Sequence, residues 1–218
     1  MSSFKGLNYD IHTHTHYSDG FSSVYELVKK AETRGLKLLA ITDHSFADFD
    51  RRMRDIESIN ETDLIVLNGV EADVALNGSV SLPKNRRYFD IVLGSIHSFL
   101  NPEKWRKITL EVMNSGKVDV IAHPTAFISG RIEYHDAEEV ISAAIRKGVF
   151  IELNEKYRMD ETLLEVAKDS GFEFIVGTDS HYAESVGRYI YVSEVIDRYK
   201  LKIVDLSSII ERLALSSR

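Results

Sequence analysis

The chain is paced by seven short apolar runs, each closed by polar residues, at nearly equal spacing. The runs cover 7–11, 37–42, 64–70, 90–96, 118–122, 149–153 and 174–177. Most are near-continuously apolar, as strands buried on both faces of a parallel sheet should be. Amphipathic segments at 22–34, 51–60, 103–115, 137–147 and 161–170 separate them. Gly35 and Gly148 follow two of these, where a helix end favours glycine. Residues 193–199 and 205–215 read as further helices, and the apolar stripe Leu206, Ile209, Ile210 and Leu213 should pack the tail on its own barrel. Between the third and fourth runs, Asn77-Gly78 signals a hairpin within 74–82, and 83–89 leaves room for a short helix at most. Alternating strand and helix implies a parallel sheet with right-handed crossovers. Seven such units predict an α/β barrel, with a doubly wound sheet as second choice. With no linker or low-complexity tract, residues 1–218 read as a single domain.

The residues that close the runs are chemically alike. His12 and His14 end the first, Asp43-His44 follows the second, and Glu71 ends the third. His97 and His123 end the fourth and fifth, Glu152 and Asn154 the sixth, and Asp179 and His181 follow the seventh. The steps from 12 through 44, 71, 97, 123 and 154 to 179 are 32, 27, 26, 26, 31 and 25 residues. Each step is one strand-helix unit, so each unit delivers a ligand-type side chain to the same end of the sheet, where α/β barrels build their sites. A lone strand-end histidine is more often structural than a ligand; six of the eight histidines in such places point to a metal site. Residues i and i+2 of a strand face the same way, so His12 and His14 can approach one ion together, as can Asp179 and His181 if the strand runs that far. The chain has no cysteine, so the donors are nitrogen and oxygen, a set suited to Zn, Mn or Fe. Asp43 is expected to orient an imidazole, with Ser18, Thr42 and Thr178 making local hydrogen bonds.

No apolar run approaches the roughly 20 residues that a membrane helix needs, and residues 1–8 lack the order of a signal peptide. A cytoplasmic protein with no membrane partner is expected. The formal charge of −7 disfavours a non-specific grip on nucleic acid. The groups Arg51, Arg52, Arg54 and Lys84, Arg86, Arg87 read as solvated faces, since acidic residues accompany the first.

The motifs Asp-Ile-His-Thr-His-Thr-His-Tyr-Ser-Asp-Gly (10–20), Ile-Thr-Asp-His (41–44), Gly-Val-Glu (69–71), Gly-Ser-Ile-His-Ser (94–98), Ala-His-Pro (122–124) and Gly-Thr-Asp-Ser-His (177–181) together resemble those of the PHP (polymerase and histidinol phosphatase) family. The resemblance spans residues 9–188. It implies a distorted seven-stranded (β/α)7 TIM-like barrel holding two or three divalent ions. Carried over by position, His12, His14, Glu71 and Asp179 would form the catalytic core around one ion. Glu71 would bridge to a second ion completed by His97 and His123, and Asp19, His44 and His181 would hold a third. The implied activity is phosphate-ester hydrolysis by a metal-bridging hydroxide, with a small phosphorylated substrate of the histidinol-phosphate kind.

Phosphate also needs donors. Arg158 follows the sixth run, Arg131 lies after His123 and Arg188 after His181, so these three are the candidate substrate-binding residues. His16 could serve beside the ligand loop, and His135 is assigned no role. Three other readings compete: a nucleotide or DNA-end phosphodiesterase or 3′–5′ exonuclease; an amidohydrolase, weakened by the lack of a strand-borne lysine-type ligand; and a non-catalytic module whose metals stabilise a partner-binding scaffold.

Overall fold

A computed structural model describes residues 7–60 and 62–216, with side-chain surroundings up to 213. Residues 1–6, part of the stretch read above for a leader, lie outside the described residues, as does the side chain of Leu215. The strands are β1 (Tyr9–Asp10), β2 (Leu38–Ile41), β3 (Ile65–Asp73), β4 (Ile91–Ser95), β5 (Val120–Ile121), β6 (Phe150–Asn154), β7 (Glu173–Gly177) and β8 (Lys202–Ile203). The helices are α1 (Val24–Thr33), α2 (Phe49–Glu57), α3 (Pro102–Asn114), α4 (Tyr134–Lys147), α5 (Glu161–Ser170), α6 (Tyr191–Tyr199) and α7 (Leu206–Ser216). All neighbouring strands pair in parallel and in sequence order. Among the described residues, no helix is long and apolar enough to cross a membrane.

Among the described residues the sheet has eight strands, one more than expected. The extra strand, β8, is two residues long and pairs only with Glu173 and Phe174 at the start of β7. A strand this short shows no periodicity, which is why the sequence reading passed over it. The sheet also curls until its first and seventh strands meet. The Ile11 amide donates to the Val176 carbonyl at 3.4 Å and the His14 amide to the Ser180 carbonyl at 2.8 Å. β7 thus pairs with β8 along its beginning, while β1 reaches its far end.

Local chemistry fixes the helix ends. Ser23 and Glu26 form a reciprocal capping box on α1. Asp48, Asn101 and Asp160 accept backbone N–H groups that would otherwise lack partners at the starts of α2, α3 and α5. Gly148 ends α4 with φ +67°, a left-handed conformation that glycine adopts without a Cβ penalty. α4 begins three residues before the predicted start, because its polar first turn, with Asp136 near the positive helix end, carries no apolar signal. The hairpin at Asn77-Gly78 is present, with Val74 bridging Val80 antiparallel. Helices and sheet bury one continuous apolar core. A second cluster beneath α1 joins Val24, Leu27 and Val28 to Leu39 and Ile41. On α7, Ile209 and Leu213 join the main core and Leu206 packs against it, while Ile210, expected in the same stripe, is 40% exposed.

Candidate metal centre

The strand ends deliver their polar side chains to one point, and the hub is Glu71. This carboxylate sits near the end of β3, buried, with imidazoles on both oxygens. Oε2 lies 3.3 Å from each of His12 Nε2, His14 Nε2 and His44 Nδ1. Oε1 lies 2.9 Å from His123 Nε2 and 3.3 Å from His97 Nε2. Asp19 forms a smaller hub at the rim, with Oδ2 3.1 Å from His181 Nε2 and 3.4 Å from His44 Nε2, and Oδ1 3.5 Å from His14 Nδ1. Asp179 Oδ1 is 3.4 Å from both His14 Nε2 and His181 Nδ1. All nine residues singled out from the sequence as metal ligands therefore converge on one centre.

Most of these residues lie at or just past strand ends. His12 and His14 fall beyond β1, which ends at Asp10, on either side of Thr13, which bridges Ser180 in parallel, and their ring centroids are 5.1 Å apart. Asp179 and His181 meet differently: β7 ends at Gly177, and Asp179 then takes φ +53°. His123, after the two-residue β5, sits at φ +27°. Left-handed non-glycine backbone costs on the order of 1–3 kcal/mol per residue and persists where its surroundings enforce it. Here it occurs at two residues of the ring.

Burial and charge oppose each other at the centre. Burial would raise the Glu71 pKa, but the His12 charge and the close imidazoles of His123 and His97 outweigh it and hold the carboxyl well below its usual range. Asp179 is held low in the same way, against burial, by His12 and His14. Four buried imidazole nitrogens (Nε2 of His12, both nitrogens of His14 and Nδ1 of His123) have no hydrogen-bond partner among the described residues. Buried polar atoms are normally satisfied, and a cation among these nitrogens and carboxylates would satisfy them. Several overlapping trios have ligand atoms within 4.8 Å of one another, including His12–His14–Glu71, His14–Asp19–His44 and His44–Glu71–His97. The residues fit a metal.

Further side chains hold the ring in place. Glu152 accepts from His12 Nδ1 at 2.9 Å and from the His123 amide at 2.7 Å, fixing two ring members at once. The sequence placed Glu152 at the site without this role. Gly177 leaves room for it, since a Cβ there would lie 2.2 Å from Glu152 Oε1 and 2.6 Å from His12 Cβ. Asp73 Oδ1 lies 3.2 Å from His97 Nδ1. Asp43 does not touch an imidazole, contrary to expectation. It accepts from the Thr15 amide at 2.7 Å, Thr15 Oγ1 at 2.8 Å and Ser18 Oγ at 2.6 Å, and so braces the loop that carries Asp19. Its cation is Arg52, fully buried, with Nη1 3.2 Å from Asp43 Oδ2. Arg52 therefore leaves the solvated face assigned to it, while Arg51 and Arg54 stay exposed. Phe49, Arg52 and Ile56 share one helical face, a spacing that could have revealed this.

The ring opens into a cleft of about 310 Å³, lined also by Phe46, Asp73, Lys156 and Tyr157. Lys156 Nζ is 3.4 Å from Asp179 Oδ1. The sequence reading missed this lysine, which lies two residues before the favoured Arg158. The Arg158 guanidinium sits 5.1 Å over the Tyr191 ring, outside the cleft lining. Arg131 and Arg188 are exposed and also outside that lining. His16 is an exposed loop residue against Tyr17, and His135 pairs with Asp136 on the surface.

A curled parallel α/β sheet with a His, Asp and Glu ring at its strand ends defines a hydrolase-type metal site. Residues 10–156 match the PHP domain family, and the chain belongs to it; the protein is a phosphoric ester hydrolase. A probable phosphatase of Acetivibrio thermocellus is 31% identical over 210 residues, covering 86% of this chain and 85% of that one. The DNA polymerase/3′-5′ exonuclease PolX of Bacillus subtilis is 31% identical over 196 residues, covering 80% of this chain but 34% of PolX. A crystal structure of histidinol phosphate phosphatase from Lactococcus lactis, complexed with zinc, L-histidinol and phosphate, shares the fold with a TM-score of 0.64. It is 15% identical and covers 93% of this chain and 98% of that one.

Proposed function

We propose that the protein hydrolyses phosphate monoesters of small molecules, using two or three divalent ions (Zn, Mn or Fe). His12, His14, Asp19, His44, Glu71, His97, His123, Asp179 and His181 would hold them. The observation that carries this reading is Glu71, a buried carboxylate within 3.3 Å of five imidazoles, several with unpartnered ring nitrogens. Divalent ions bound there would neutralise charge on phosphoryl oxygens and acidify water towards neutral pH. The chain's own part is to position. Glu152 fixes the His12 ring and the His123 backbone, Asp43 braces the Asp19 loop, and Lys156 offers an exposed ammonium at the cleft for a phosphoryl oxygen. Arg158, Arg131 and Arg188, outside the cleft lining, would reach only a larger substrate.

The test is elemental analysis of the purified protein, paired with p-nitrophenyl phosphate hydrolysis before and after chelation. Two to three equivalents of metal with chelator-sensitive turnover are expected. Bound metal without turnover of any phosphate ester would refute the reading and favour the scaffold role. A nucleotide or DNA-end phosphodiesterase is the second reading, favoured by the similarity to PolX and opposed by the net charge of −7. Salt-dependent DNA binding with release of mononucleotides would reverse the ranking.

A further inference from the structure

The loop between β6 and α5 carries Lys156 and Tyr157 into the cleft, and its own backbone does not hold it there. The Glu155 amide still donates to the Gly177 carbonyl at 3.0 Å, but residues 156–159 make no backbone–backbone hydrogen bond among the described residues. Three of their four amides are bonded by side chains instead. Asn154 Oδ1 accepts from the amides of Lys156 at 2.9 Å and Tyr157 at 3.1 Å, and the Tyr191 hydroxyl accepts from that of Met159 at 2.9 Å. A loop whose backbone groups are paired this way takes the path its side-chain partners dictate.

Beside the loop, α6 begins without a cap of its own. Ile190 stands at the N-cap position, and its side chain has no acceptor. Glu155, 35 residues earlier than Ile190, supplies what is missing. Its Oε1 accepts from the amides of Ile190 and Tyr191, and its Oε2 from that of Val192, each at 2.9 Å. Orphan amides at the positive end of a helix favour a carboxylate, and such charge-assisted bonds are the strong ones. The Arg158 guanidinium over the Tyr191 ring adds a further contact between loop and helix. Glu155 is therefore the main tie between them. It lies outside the cleft lining, whereas the next residue, Lys156, lies inside it, 3.4 Å from Asp179. A lysine ammonium rides on a flexible four-carbon stem, so it dwells at one point only if its backbone is held.

Resting on the reading above that Lys156 offers its ammonium to a phosphoryl oxygen, we infer that Glu155 is a positioning residue for phosphate, capping α6 and thereby holding the Lys156 loop against the cleft. The test is calorimetry of inorganic phosphate binding to the metal-loaded protein, alongside KM and kcat for p-nitrophenyl phosphate. The variants are Lys156→Met, Glu155→Ala, Glu155→Gln and the Glu155→Ala/Lys156→Met pair. Lys156→Met should weaken phosphate binding about tenfold. Glu155→Ala should weaken it about threefold to tenfold, with the loss in turnover falling on KM rather than kcat. Glu155→Gln keeps the length and one acceptor oxygen, so it loosens the tie without stripping the helix start and should fall between Glu155→Ala and wild type. In the Lys156→Met background, Glu155→Ala should change phosphate affinity less than about twofold, because no ammonium is left to misplace. Phosphate affinity unmoved by either Glu155 variant, an equal loss in both Lys156 backgrounds, or a fall in metal content with Glu155→Ala would overturn the inference. If Lys156→Met itself leaves phosphate affinity unchanged, the Lys156 contact is refuted and the inference falls with it. The expected pattern in phosphate affinity without turnover of any phosphate ester would instead refute the phosphomonoesterase reading and leave the positioning role standing.

Discussion

The buried Arg52 gives the sharpest stability prediction. Its guanidinium donates to Asp43, Asn68 and the Gly69 carbonyl, and stacks 4.6 Å over Phe49. Arg52→Met keeps the stem and its contact with Phe49 but removes the charge. Asp43 then stays buried with three donors, the Thr15 amide, Thr15 Oγ1 and Ser18 Oγ, and no cation. Breaking a buried pair from one side costs about 3–5 kcal/mol. The three remaining donors place this case near the lower end. The stranded Asn68 and Gly69 oxygens add roughly 1 kcal/mol between them, for a total of about 4 kcal/mol. At this chain length that corresponds to a Tm lower by on the order of 10 °C. Urea denaturation of the chelated protein avoids the departure from two-state behaviour that bound metal brings. The Asp43→Asn/Arg52→Met pair should be less damaged than the two single losses added together, by roughly 2 kcal/mol. A loss below about 1 kcal/mol for Arg52→Met, or simple additivity in the cycle, would refute the claim that the pair is electrostatically coupled.

Four further outcomes follow from the site. Glu152→Gln should weaken metal binding about 10–100-fold, measured by chelator competition, because it loosens His12 and His123 together. Glu71→Gln, at the hub itself, should lose more than that roughly 10–100-fold in p-nitrophenyl phosphate turnover, and metal content should fall with it. Gly177→Ala must displace Glu152 or His12 and should cost about 1–3 kcal/mol in urea denaturation, along with metal affinity. Burial raises the Asp119 pKa above 3.8, even though Arg86 and the Val92 amide pull it down. A carboxyl raised by folding contributes stability that is complete below 3.8 and fades as pH rises through the raised value. Asp119→Asn should therefore gain on wild type between pH 4 and pH 7 in urea denaturation of the chelated protein, and a gap that narrows would contradict the assignment.

Most of the ring was legible in the sequence because its candidate ligands close short, mostly apolar runs; Asp19, in the loop after the first run, came from the motif resemblance instead. Strand position alone brings such residues to one end of a parallel sheet. What it hid depends on contacts between distant elements. Arg52 read as surface because Arg51 and Arg54 beside it are surface; its burial comes from α2 docking over Asn68 and Gly69 of β3. Lys156 and Arg158 sit two residues apart after β6, and only the folded loop shows which faces the cleft. β8 has no pattern of its own and exists because β7 offers it an edge. The partners of Asp43 come from Thr15 and Ser18, about 25–28 residues away, a pairing that no local motif encodes.

The meeting of β1 with β7 also sets an order of events. Asp10, near the start of the chain, takes hydrogen bonds from Thr178, 168 residues later. His14 reaches Asp179 and His181 across a similar gap. Contacts this remote form late, since a long loop must close before they repay its entropy. During synthesis the first histidines leave the ribosome while their last partners are still uncoded in peptide. The full ring of proposed ligands cannot assemble until both ends of the described chain have come together, so any metal that needs the whole ring would bind only after that closure.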